Sequence, residues 1–391
     1  MPPRKKKKQP TPQDEHLQNP CDVRVNCTRK DSVLTGEDLS QGPALDEDLI
    51  QPTGDVYKYI DEVGQFTPPQ NWRPPIKPLH EVVGSDYIVV INGRRGTGKS
   101  FMIRSLVFRL RESIKTWFVF TSTKFNGFYE TELGICKGRI FDGVRIGVLN
   151  ELLNIQEKKK KMVNEGEMTK EEATIGIILD DIGDEVIKMR FSKAMDEIFY
   201  NGRHLNVFLI VAEQYFKFIG PGARKNTDIP VIFNPQSSAE KDAVRENYFG
   251  FYDKKTAFRC FEDYTRPHVL KSDSGQVIYR KKDKEIEPVP VPYAMATDCR
   301  KTSRSYHNAE CMFLTYADDP PPFLASSEED WDECGEDPRE AYKKCCEVYE
   351  ERQKQYCDEK GNPCNFGRPY MKKLPGEDED EDNAHRTAPA A

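Results

Sequence analysis

The chain has 391 residues, 31% of them charged and 37% hydrophobic, with a formal net charge of −7. Such polarity excludes a chain that is core throughout, and it predicts a folded centre with polar, unstructured flanks. An acidic chain argues at first against a nucleic-acid binder. The charge is unevenly divided, however: −1 on residues 1–80, +4 on 81–290 and −10 on 291–391. The acidity belongs to the C-terminal quarter.

No run of about 18 apolar residues occurs, so no membrane-spanning helix is expected. The N-terminal Arg4 and Lys5–Lys8 lack an apolar stretch behind them and are not expected to form a secretory signal. They suit a solvated terminus, a nuclear-localisation signal or a phosphate-binding tail. Eleven cysteines without a CxxC pair favour a reducing, intracellular setting.

In chain order, residues 1–78 are rich in Pro, Gln, Asp and Thr and are expected to be disordered. Residues 79–285 alternate short apolar runs with helical stretches. Tyr87–Ile91, Trp117–Phe120, Ile175–Leu179, Val207–Ala212 and Val231–Phe233 read as buried strands. Met102, Ile103, Leu106, Val107 and Leu110 recur at helical spacing, and 147–163 and 187–200 are further helices. Apolar strands alternating with helices predict an α/β fold, a mostly parallel sheet with helices on both faces. From 286 onward the chain is expected to be largely irregular. Glu287–Pro292 reads as an extended linker, 338–357 as one helix, and Glu377–Asp382 as a solvated acidic run.

Gly93-Arg94-Arg95-Gly96-Thr97-Gly98-Lys99-Ser100 fits G-x-x-x-x-G-K-[ST], between a predicted strand and a predicted helix. Glycines at 96 and 98 permit backbone angles that side chains forbid. The loop N–H groups then converge on a β-phosphate at the positive end of the helix. Lys99 neutralises β/γ oxygens, and the Ser100 hydroxyl can coordinate Mg2+, so ATP with Mg2+ is the expected ligand. Asp180 and Asp181 end the Ile175–Leu179 strand. Asp180 suits a water-mediated hold on Mg2+, and Asp181 suits orienting or deprotonating the attacking water. Gln214 follows the Val207–Ala212 strand and is a candidate γ-phosphate sensor. Arg203 before that strand and Arg224 after it are candidate arginine fingers toward a neighbouring subunit, or plain surface charges.

These motifs, in this order, resemble the genome-packaging ATPases of nucleocytoplasmic large DNA viruses, within the FtsK–HerA group of DNA-pumping motors. The resemblance covers about residues 84–282. It is carried by Gly93–Ser100, Phe118–Thr123 with Asn126 and Tyr129, Leu179-Asp180-Asp181, Phe199–Asn206 leading to Gln214, and Arg224 with Asn226. It implies an ASCE/RecA-like P-loop NTPase. It also implies an ATP-driven ring of five or six subunits that moves double-stranded DNA into a preformed capsid, with capsid or portal partners and assembly in cytoplasmic virus factories. Ala212-Glu213 departs from the pattern, which has small or hydroxyl residues before the glutamine.

Lys158–Lys161 suit either a DNA-gripping face or a solvated helix. Seven cysteines lie between Cys299 and Cys364 without zinc-knuckle spacing. Two other classes of function fit less of the sequence. Another P-loop NTPase, a kinase or helicase-like protein, is one alternative; a small-molecule kinase would need a lid segment, which is not evident, and would not need the Gln214 strand. A virion scaffold that binds nucleotide without turnover leaves the paired aspartates without one.

Overall fold

The computed structural model describes residues 74–183, 192–216, 219–265, 290–302 and 311–317, with short pieces between 267 and 288 and between 340 and 361. The N-terminal basic cluster, Asp184, Glu185, the acidic run and half of the 338–357 segment lie outside the described residues; the single helix expected there is corrected at its end, where Tyr356–Cys357 is a strand.

A single sheet organises the molecule. Its strands are β1 (Ile88–Asn92), β2 (Thr116–Thr121), β3 (Ile140–Asp142), β4 (Ile175–Asp180), β5 (Val207–Glu213), β6 (Ile229–Ile232), β10 (Pro290–Thr297) and β11 (Met312–Tyr316). They lie in the order β11-β10-β6-β1-β5-β4-β2-β3, and β7 (Pro267–Val269) pairs with the start of β10. From β6 to β3 every pairing is parallel. Strands β1, β4, β5 and β6 are buried at every position. This explains why they read as unbroken apolar runs rather than alternating ones. Two further strands, β8 (Tyr279–Lys282) and β9 (Glu285–Pro288), form a separate hairpin that β12 (Tyr356–Cys357) extends.

Helices cover both faces. The short α1 (Leu79–Val82) and α2 (Lys99–Arg109) pack on one side with Val89, Ile91, Phe208 and Ile210. On the other lie α4 (Ile146–Glu165) and α6 (Lys193–Asn201), against Val90, Ile177, Leu179 and Leu209. Between them in sequence come α3 (Phe128–Thr131) and α5 (Lys170–Ala173). Further along, α7 (Pro221–Lys225) links β5 to β6. Helices α8 (Ser238–Tyr248) and α9 (Lys254–Asp263) follow and build an aromatic core of Tyr248, Phe249, Tyr252 and Phe261 beneath β10 and β11. The Lys158–Lys161 run falls on the outer part of α4, whose buried face is Leu149, Leu152, Leu153 and Gln156.

Local side-chain chemistry sets the register. Trp117 on β2 lies opposite Gly176 on β4, where a Cβ would collide with the indole. The tryptophan is 1% exposed, and removing it would cost about 3–5 kcal/mol. Gln156 donates to the carbonyls of Ala173 and Leu205 at 2.8 and 2.9 Å. This pins α4 to the segments that enter β4 and β5.

The boundary expected at residue 285 is corrected. Tyr293–Thr297 of β10 pairs antiparallel with β11, and Met295 and Ala296 pair with β6, so the core sheet continues to residue 316. Alternating prolines gave this stretch the look of a linker. Pro290 and Pro292 lie opposite Val269 and Pro267 on β7, outside the segment shared with β6 and β11. Arg300, just past β10, fastens this addition to the parallel sheet. Its Nε and Nη2 donate to the two Asp228 oxygens at 2.6 and 3.0 Å, and Nη1 donates to Asp86 at 3.0 Å. The guanidinium also lies 3.8 Å from the Tyr87 ring centroid. Asp228 in turn accepts from the Ile88 amide at 2.7 Å. The outer edge of β11 is covered by the chain itself: Leu314 donates to the Pro75 carbonyl at 2.7 Å and accepts from Lys77 at 2.8 Å.

Cys136 is disulfide-bonded. Cys260 is a buried free thiol. Among the described residues no helix is long and apolar enough to cross a membrane.

Candidate active site

Parallel β1, β4 and β5 end at the same edge of the sheet, with β5 between the other two. Sequence motifs at residues 93–100, 180–181 and 214 thereby meet. Register sets them in line, pairing Asn92 with Glu213 and Asp180 with Ala212.

The phosphate loop bridges β1 to α2. Gly98 caps the helix at φ 106°, and Gly96 has φ 77°, both in the left-handed region. Thr97 folds back on the loop, its hydroxyl donating to the Arg94 carbonyl at 2.8 Å. Lys99 Nζ donates to the carbonyls of Gly93 at 2.7 Å and Arg94 at 3.1 Å. Arg94, Arg95 and Ser100 are exposed. Burial lowers the Lys99 ammonium below the usual lysine value, while Asp180, Asp181 and Glu213 pull it back up. An open loop with a lysine provisionally seated on carbonyls fits a polyphosphate.

Asp180 is 8% exposed at the end of β4 and accepts from the Tyr129 hydroxyl at 2.7 Å. Its carboxyl is raised by burial and by Asp181, and the Tyr129 hydrogen bond and Lys99 oppose that rise. Asp181 has φ 54°, an uncommon angle for a non-glycine residue. Three contacts hold it there. Its amide donates to the Ala212 carbonyl at 2.9 Å, its carbonyl accepts from Ser122 Oγ at 2.9 Å, and its Oδ2 accepts from Gln214 Nε2 at 2.7 Å. Strain of this kind persists where the surroundings over-determine it.

Glu213 is the residue that the sequence pattern missed as a participant. It is 1% exposed, and among the described residues neither carboxyl oxygen has a hydrogen-bond partner of good geometry. Burial first, then Asp181 and Asp180, push its carboxyl up to about 8; the nearby Ile182 amide and Lys99 act the other way. Its carbonyl accepts from Asn92 Nδ2 and the Gly93 amide. The only sequence signal was that an acid stands where a small or hydroxyl residue was expected.

The arginines are elsewhere. Arg203 lies exposed on the turn Gly202–Leu205, before β5, at the opposite edge of the sheet from the phosphate loop. Arg224 lies on α7, its guanidinium 5.2 Å from the Phe216 ring centroid. Neither makes a described contact with the loop or the two aspartates of its own chain.

The Ser100 hydroxyl and the Asp180 carboxyl carry oxygen donors, which fit a hard cation such as Mg2+. Among the described residues no group of three or more His, Cys, Asp or Glu is arranged to bind a metal by itself. The expected cation would therefore share its coordination with phosphate and water. Most of the C-terminal cysteines lie outside the described residues.

A glycine loop after the first strand, acids after β4 and an interposed β5 define a P-loop NTPase fold of the ASCE type. Residues 79–248 match the family model for the poxvirus A32 protein, and the chain belongs to that family. It is 29% identical over 185 residues to the uncharacterized protein 015R of frog virus 3, covering 47% of this chain and 54% of that one. It is 30% identical over 192 residues to the uncharacterized protein 088R of invertebrate iridescent virus 3, covering 46% and 68%. The chain thus spans about half the length of the frog virus relative. Among solved structures, the DNA-packaging ATPase of Sulfolobus turreted icosahedral virus is similar at 17% identity and a TM-score of 0.36, over 59% of this chain and 96% of that one.

Proposed function

We propose that this chain is an ATP-hydrolysing motor that moves viral double-stranded DNA into a capsid, working as a homo-oligomeric ring in the host cytoplasm. Family membership supports the packaging role. The observation that carries the ATPase reading is the meeting of Lys99, Asp180, Asp181 and Gln214 at one sheet edge.

The residues divide the work. The loop amides and Lys99 take the β- and γ-phosphates, and Lys99 leaves the Gly93 and Arg94 carbonyls to do so. Mg2+, when bound, would supply charge neutralisation, with Ser100 and Asp180 as its holders. Asp181 orients and deprotonates the attacking water. Gln214 now spends an amide proton on Asp181, so a γ-phosphate that draws Gln214 away also frees the base. Arg203 or Arg224 would serve a neighbouring subunit's nucleotide, which requires the ring. The +4 charge of residues 81–290 suits a duplex partner.

The test is ATP hydrolysis with and without duplex DNA, together with native mass measurement. DNA-stimulated turnover that Lys99→Ala and Asp181→Asn abolish, in a five- or six-subunit assembly, is expected. Turnover that is absent or indifferent to both changes overturns the enzymatic reading. A protein that stays monomeric with ATP and DNA overturns the ring.

A further inference from the structure

We propose that Tyr129 is a positioning residue for the cation site, holding Asp180 in one orientation and coupling it to the phosphate-loop helix. This rests on the reading of Asp180 as a cation holder.

The hydroxyl of Tyr129 donates to Asp180 Oδ2 at 2.7 Å across 51 residues of sequence. Both groups are buried, Tyr129 to 2% exposure and Asp180 to 8%. A buried carboxylate without a donor would face the full cost of desolvation and would rotate about its side-chain bonds. With Oδ2 held by the tyrosine, the carboxylate is kept in one orientation.

The tyrosine is itself fixed. Its ring meets Phe128 edge-on, with centroids 5.1 Å apart. Its carbonyl accepts from the Ile135 amide at 3.0 Å. The preceding turn is set by Gly127 at φ 68° and by Asn126 Oδ1, which accepts from the Phe128 amide at 3.0 Å.

The same short helix reaches the other half of the site. Glu132, directly after α3, forms an ion pair with Arg104 of α2. Arg104 stands one turn beyond Ser100, and its side chain is 4% exposed. Thus α3 bonds to the helix that carries the hydroxyl ligand and to the carboxylate opposite. A tyrosine with only a packing role would need neither the hydroxyl nor this placement. Outer contacts of this kind typically change metal affinity by about tenfold or more.

The experiment uses the full chain with ADP and follows Mn2+ binding by electron paramagnetic resonance. Tyr129→Phe, which keeps the ring, is compared with Asp180→Asn and the unaltered protein. ADP affinity in EDTA and thermal midpoint are measured alongside. The proposal expects Mn2+ affinity to fall about tenfold in Tyr129→Phe, with ADP affinity in EDTA unchanged. If Asp180→Asn weakens Mn2+ and Tyr129→Phe does not, the proposal fails and the cation reading of Asp180 stands. If neither weakens Mn2+, both fail. A loss of ADP affinity in EDTA equal to the loss of Mn2+ affinity assigns Tyr129 a structural role only and overturns the proposal.

Discussion

The two edges of the parallel sheet are built on opposite rules. At the edge where the strands begin, charges are matched. Arg300 satisfies Asp228 and Asp86, Asp228 accepts the Ile88 amide, and the guanidinium covers Tyr87. At the edge where the strands end, charges are crowded and incompletely served. Among the described residues Glu213 has no good partner and Asn92 Oδ1 is unsatisfied, and Asp181 is held at a left-handed angle. Both edges are made by the same strands. The difference teaches where stability is stored and where it has been given up to chemistry.

Substitutions can break that contrast. The largest effect is expected at the strained edge. Lys99→Ala or Asp181→Asn should lower ATP turnover by about three orders of magnitude, roughly 4 kcal/mol of barrier, with the urea midpoint nearly unchanged. A large fall in stability in these variants would mean that this edge is structural too. Next comes the matched edge. Among the described residues Arg300→Ala leaves Asp228 with only the Ile88 amide and Asp86 with only Lys170, and equilibrium unfolding should show a loss of about 2–3 kcal/mol. Turnover per folded molecule should hold, and a hundredfold drop would show that the two edges are coupled.

A subtler effect concerns Glu213 and pH. The folded protein keeps a proton on this group up to about 8, whereas the unfolded chain releases it at the ordinary glutamate value. Its contribution to stability is therefore present at low pH and is lost as pH rises through that window, by up to about 1.4 kcal/mol per pH unit. Glu213→Gln should flatten that slope in nucleotide-free protein, seen by urea unfolding across neutral pH. An unaltered slope would show that the carboxyl titrates normally. The smallest effect is expected from Arg203→Ala, which should leave the stability of the isolated chain within about 0.5 kcal/mol and lower turnover only where subunits assemble.

Legibility in the sequence followed sequence distance. The five buried strands were visible because each is a contiguous apolar run, and the phosphate loop because its chemistry is packed into eight residues. Asp180, Asp181 and Gln214 could be picked out because each ends such a run. Strands β10 and β11 were not visible, since the first begins with alternating prolines and the second lies between segments without clear pattern. The three-residue β3 is too short to show a period. Contacts that only folding creates left no trace in the sequence: Arg300 with Asp86 spans 214 residues, and Tyr129 with Asp180 spans 51. Glu213 drew notice as a mismatch, but its burial among two aspartates and a lysine follows from strand order, which places β5 between β1 and β4.

The segment laid along β11 has a consequence for how copies of this chain can meet. Residues 75–77 already occupy the backbone of Leu314, and the opposite border of the sheet is the three-residue β3. A second copy could extend the sheet at β11 only after peeling off part of the first, and at β3 it would find little ladder to join. Assembly by strand addition is thereby disfavoured on both sides. Copies that assemble would then meet away from the two borders of this sheet, through helices, loops or the separate β8–β9 hairpin.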